Sequence, residues 1–274
     1  MQRQDLDQKN GRQPNRSVQL VLVRANGPLF YSVTAASLLE VEVSLAAERL
    51  LHFFGADKVF AQWTRTEWLP RKVARTKQIR DYVQSIWPEY DWHAGHEQYR
   101  AWADERGTGA HRPTAAHEAL ARCVASAQSG VFYRSLARWA EDPWLRSLAR
   151  AIAQEEASSF AQFRGLYDRQ LRSQGFGCTA AWSTALACVR TARDHQVPRA
   201  FMAISAQCAA HVPFPVLGYP EFVARMGAVI ERHGDLATPE RVLLRTWKRS
   251  ARRSVEQPGQ RTPGWFRPVL RAAA

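Results

Sequence analysis

The chain has 274 residues, 46% of them hydrophobic and ten of them tryptophan, which suffices for a substantial core and excludes a low-complexity or wholly disordered class. Lys and Arg outnumber Asp and Glu by 38 to 25, a net charge of +13, so the surface presents a positive field that attracts acidic partners: nucleic acid, an anionic membrane or an acidic carrier protein. The four cysteines, Cys123, Cys178, Cys188 and Cys208, have no C-x-x-C spacing, which argues against a zinc site and against a disulfide framework.

In chain order, Met1 to Ser17 is polar, contains Gly11, Pro14 and Asn15, and reads as a disordered arm rather than a signal peptide. No later apolar stretch reaches the roughly 18 to 20 residues that span a bilayer, so a soluble, cytoplasmic protein is expected. Val18 to Val23 is the one segment with some period-two alternation. Residues 33–54 combine helix formers with apolar positions three and four apart, and Gly55 stands where a helix stops. The next helical segment, about 57–86, carries Trp63, Trp68, Ile79 and Tyr82, and Pro70 either starts a new helix or kinks a continuous one.

A less regular stretch from Pro88 to Arg112 holds one helix around His96 to Arg106, closed by Gly107 and Gly109. Pro113 and Thr114 then open a long helix to Trp139, Asp142-Pro143 marks a tight break, and a second long helix runs from Trp144 to Ser173. Two long helices joined by a short turn pack antiparallel. Helices follow at about 179–193 and 198–210, then a proline-rich link from His211 to Pro220, then helices at about 220–233 and 238–252. The prediction is an all-α bundle over residues 18–252, between the arm 1–17 and a flexible basic tail 253–274.

Three groups of residues carry a resemblance. Trp63-Thr-Arg-Thr-Glu-Trp68 with Ile79-Arg-Asp-Tyr-Val83 is one; the helix pair around Asp142-Pro143 leading to Ile152-Ala-Gln-Glu-Glu156 is the second; Pro213 to Phe222 with Val242 to Trp247 is the third. In order and spacing they resemble the bacterial acyl-acyl-carrier-protein desaturases, a branch of the ferritin-like superfamily, over roughly residues 33–250. The resemblance implies a ferritin-like four-helix bundle core with additional C-terminal helices, and a homodimer. It also implies two irons held by one Glu from each of two helices and an E-x-x-H from each of two others, a spacing that puts both side chains on one helical face.

Carried onto this chain, the first Glu falls on Glu40, with Glu42 as the alternative register. The first E-x-x-H falls on Lys72 and Arg75, the second single Glu on Cys123, and the last E-x-x-H on Glu156 and Ser159. An ammonium and a guanidinium have no electron pair for a metal, so no cofactor is expected; the alternative is iron or manganese held by Glu40 and Glu156. The charges suggest that Glu40 and Glu156 pair with Lys72 and Arg75 inside the bundle, since carboxylates left without a metal repel one another. Against this stands the simpler reading of Lys72 and Arg75 as solvated residues on an arginine-rich helix. Cys123 also reads as a small buried hydrophobe, and Ser159 as a packing residue or a partner of helix backbone. His93 and His96, with Asp91 or Glu97, form an alternative metal site; Phe132, Tyr133, Phe160 and Phe163 have core spacing.

The expected function is a catalytically altered desaturase-like protein that recognises an acyl chain on an acidic acyl carrier protein or related thioester. The alternative is an oxidoreductase with an unusual metal or radical site. A nucleic-acid-binding or scaffold protein ranks last, because no nucleic-acid motif accompanies the charge.

Overall fold

Thr114 is extended (φ −139°, ψ 162°) and its hydroxyl accepts from the His117 amide, so one orphan donor of the following helix is satisfied by a side chain. Such local signals set most boundaries of a chain whose described residues, 16–39, 42–105, 114–174, 178–208 and 212–233 of a computed structural model, contain helices and no strand. The helices are α1 (Arg16–Arg24), α2 (Gly27–Leu39), α3 (Val43–Phe54), α4 (Lys58–Trp63), α5 (Leu69–Ile86), α6 (Trp92–Glu105), α7 (Ala115–Trp139), α8 (Pro143–Gln174), α9 (Cys178–Thr191), α10 (Val197–Gln207) and α11 (Tyr219–His233).

Several boundaries depart from the sequence reading. Val18 to Val23 belongs to helix α1, which also takes Arg16 and Ser17 from the expected arm. Six alternating residues do not make a strand without a neighbour to pair with. The single helix expected at 33–54 is described as two: α2, which begins earlier, at Gly27, where the Asn26 carboxamide accepts from the Leu29 amide, and α3, which begins at Val43. By length and composition Gly27–Phe54 meets the criterion for a bilayer span, contrary to the sequence reading, and 69% of its apolar window is buried inside the protein, as a core helix requires. Helix α6 starts at Trp92 rather than around His96, because Asp91 accepts from the Ala94 amide and caps it there.

Pro70 stands in the first turn of α5, in keeping with the expectation that it starts a helix, and the chain enters that turn through a π segment. The five residues Thr64–Trp68 form a π segment leading into α5, with the proline in the first turn, and Ala192–Gln196 leads into α10 and Pro198 in the same way. A proline lacks the N–H that an α-helical ladder would use, and a wider turn before it accommodates the missing bond. Glu40, Gly107, Gly109, His211, the expected helix 238–252 and the tail 253–274 lie outside the described residues, as does the side chain of Cys178.

Helices α7 and α8 are joined at Asp142, whose carboxylate accepts from the Trp144 amide, and pack along their length. Two apolar clusters form around this hairpin. The upper one gathers Phe30, Tyr31, Ile79, Trp87, Leu136, Leu145, Ile152 and Phe201; the lower one gathers Leu50, Phe60, Trp68, Leu120, Val124, Phe160 and Phe163. Phe30 centres the upper aromatic group, with Trp87, Tyr90 and Phe214 at ring distances of 5.0–5.2 Å.

Gly95 shows how tightly α6 is seated. A Cβ there would come within 2.2 Å of the Tyr90 hydroxyl, on a ring that is itself buried against Phe30. Gly95→Ala is therefore expected to lower stability by about 1–3 kcal/mol in urea denaturation; no loss would mean that Tyr90 moves freely.

Candidate functional site

The two clusters meet at a polar waist. Along the π segment and α5 the lower cluster ends at Trp68 and Leu69 and the upper one begins at Ile79; on α8 the break runs from Ala153 to Phe160. Lys72 and Arg75 lie within the first gap, one turn apart, and Glu156 within the second. The Lys72 ammonium donates to Glu156 Oε1 at 2.5 Å, and the Arg75 guanidinium donates to the same oxygen. Glu156 is 1% exposed, the Arg75 side chain 3% and the Lys72 side chain 12%, so this is an interior ion triad rather than a surface contact.

Each cation also has an aromatic neighbour. Lys72 Nζ stands 5.7 Å from the centroid of the Trp68 ring, and Arg75 Cζ stands 5.7 Å from that of Tyr133 on α7. Burial alone would push the Glu156 carboxyl up, but the charges and hydrogen bonds of Lys72 and Arg75 outweigh it and hold the carboxyl down at about 2. Glu156 is thus a fixed anion. Its neighbour Glu155 behaves oppositely: partial burial raises its pKa more than Arg75, Arg71 and Lys72 lower it.

The structure therefore brings together three of the six singled-out positions. Cys123 is fully buried in the lower cluster, where burial, opposed by Arg164 and reinforced by Asp168, pushes its thiol up to about 12. A thiol in that state is a hydrophobe, not a nucleophile. Ser159 is buried one turn beyond Glu156. Glu42 accepts from the Tyr99 hydroxyl at 3.2 Å and from the Gln196 carboxamide at 3.5 Å. His93 is exposed and His96 stacks on Trp92 at 4.8 Å, with burial lowering its pKa.

Sequence reading missed the two aromatic partners of the triad, although Trp68 precedes Lys72 by one helical turn, a spacing that could have flagged it. It also missed Glu118, fully buried on α7 and paired with Arg122 at 2.8 Å, whose i, i+4 order was visible in the sequence.

A diiron centre needs several carboxylate or imidazole donors converging on each metal. Here the four positions at 72, 75, 123 and 159 offer an ammonium, a guanidinium, a protonated thiol and a hydroxyl, and Glu156 has one oxygen committed to two cations. The residues do not fit the group. Among the described residues no three His, Cys, Asp or Glu side chains are grouped so as to hold a metal ion. No family model, no curated protein and no solved structure matches the chain.

Proposed function

We propose that the chain is a desaturase-like protein of ferritin-like architecture that recognises an acyl group on an acidic acyl carrier protein, or a related thioester, without carrying out oxygen chemistry. The observation that carries this reading is the triad: Lys72, Arg75 and Glu156 occupy positions that the resemblance assigns to metal ligands, and the buried Glu156 carboxylate accepts from both cations. What the resemblance leaves to such a scaffold is its partner.

The charge distribution supports that partner's acidity. Lys77 on α5, Arg150 on α8, Arg190 on α9 and Arg232 on α11 all stand exposed, on a chain of net charge +13. A positive field of this kind accelerates encounter with an acidic protein, and guanidinium groups suit a carrier's phosphate. For the acyl chain, an apolar seam lies between α2, α5, α7 and α8, lined by Val33, Ile79, Tyr133, Leu136, Leu148 and Ile152. It is too constricted to hold water, so a chain enters only as these side chains give way, and recognition rests first on the carrier's surface.

Immobilised acyl carrier protein, in acylated and unacylated forms, should retain the chain at low ionic strength and release it near 1 M salt, where the Debye length falls to about 3 Å. The double variant Lys77→Glu/Arg150→Glu should bind more weakly. Absence of retention at low ionic strength would remove this reading.

A further inference from the structure

Helices α5 and α8 run antiparallel and meet through long side chains at three levels. At one end Tyr82 stacks on Trp144, 5.2 Å between centroids and 5° between planes; at the other Trp68 meets Phe163 edge-on at 5.9 Å. Between these aromatic contacts, where both apolar clusters are interrupted, stands the triad.

We infer that Lys72, Arg75 and Glu156 form an internal electrostatic replacement for a metal centre: the triad fastens α5 to α8 at the waist, lets the bundle assemble without metal, and closes the interior to divalent cations. The inference goes beyond partner recognition, and it rests on the ferritin-like reading of positions 72, 75 and 156.

Both halves follow from the geometry. A metal that joins helices does so by neutralising carboxylates from each of them. Here the neutralising charges are covalently part of α5, and the anion is part of α8. Among the described residues, a divalent cation arriving at Glu156 would meet two fixed positive charges and no group of three His, Cys, Asp or Glu side chains; Glu156 Oε1 already accepts from both cations, and its Oε2 is buried without a hydrogen-bond partner. One carboxylate is too small a donor set for a divalent ion that takes four or more ligands. The aromatic faces of Trp68 and Tyr133 add to the stability of the cations where they are, at no gain to a metal.

The test uses the full chain, purified from iron-rich culture and also after chelation. Bound metal is measured by elemental analysis after desalting, and melting temperature with ferrous iron, with manganous ion and with chelator alone. The expected result is substoichiometric metal and one melting temperature under all conditions. Stoichiometric iron or manganese accompanied by a rise in melting temperature would overturn the inference.

A second arm replaces the whole triad with apolar residues of similar length, Lys72→Met/Arg75→Met/Glu156→Leu. Buried ion clusters removed entirely are often replaced without loss, so this variant should melt within a few degrees of the parent, about 5 °C or less. Melting far below the parent would contradict a purely fastening role. Retention on the acyl carrier column reads the partner proposal separately, so that either idea can fail alone.

Discussion

Glu156→Gln lowers the melting temperature by about 10 °C, because a neutral carboxamide leaves Lys72 and Arg75 without the anion that both of them share. Gln matches Glu in size, so no cavity opens and the loss is electrostatic. Removing one partner of a buried ion cluster costs about 3–5 kcal/mol, since the remaining charge keeps its desolvation penalty. In a domain of this size each kcal/mol corresponds to about 2–4 °C. Two substitutions calibrate the effect. Glu155→Gln, one residue earlier, removes a carboxylate whose pKa is already raised by burial, and should cost less than about 1 kcal/mol. Lys72→Met should fall between the two, because Lys72 is the most exposed member and Arg75 still satisfies the carboxylate. Calorimetry of the three variants decides the order; a Glu156→Gln protein that melts within two or three degrees of the parent (a change of about 1 kcal/mol or less) would show that the triad does not hold the waist.

The helical class was legible because its signals are local. Apolar positions on α8 at Leu145, Ile152, Phe160, Phe163 and Tyr167 recur at helical spacing and are all buried, and Asp142-Pro143 turns the chain where expected. Pro70 was less legible. A proline signals a lost hydrogen bond but does not say whether the chain breaks, kinks or widens into a π segment, and here a π segment precedes it. Val18 to Val23 was misleading for a related reason: alternation over six residues fits either state, and with no second strand among the described residues to pair with, the helix prevails.

At the site, opposite charges at 72, 75 and 156 were visible as types, and their meeting depended only on the placement of two helices. What could not be read was the division of labour around them. Lys72 and Arg75 choose one oxygen of one carboxylate, while Glu42 turns to Tyr99 and Gln196, contacts across 57 and 154 residues of chain that no local pattern encodes. Cys123 was ambiguous between ligand position and hydrophobe until its surroundings, Leu120, Val124, Phe160 and Phe163 in one cluster, were known.

The pH dependence of stability should carry the signature of the same carboxylate. In the folded protein Glu156 is held at about 2 against an ordinary value of 4.5, so the unfolded chain takes up its proton first as acid is added. The sign follows: the contribution is fully present above about pH 4.5 and is lost as pH falls through the interval down to about 2. A depression of that size is linked to about 3 kcal/mol. The groups facing Glu156 from α5 are Lys72 and Arg75. Glu155, on the same helix as Glu156, has its pKa raised and contributes the opposite slope, stabilising as it protonates. Urea unfolding from pH 7 to pH 2 should therefore be compared between the parent and Glu156→Gln, both carrying Glu155→Gln so that the neighbouring carboxylate, whose pKa Glu156 helps to raise, does not enter the difference. The difference in unfolding free energy is expected to be constant above pH 5 and to shrink steadily below it, the two curves converging toward pH 2. Curves that stay parallel to the acid limit would mean that Glu156 is not held ionised by Lys72 and Arg75.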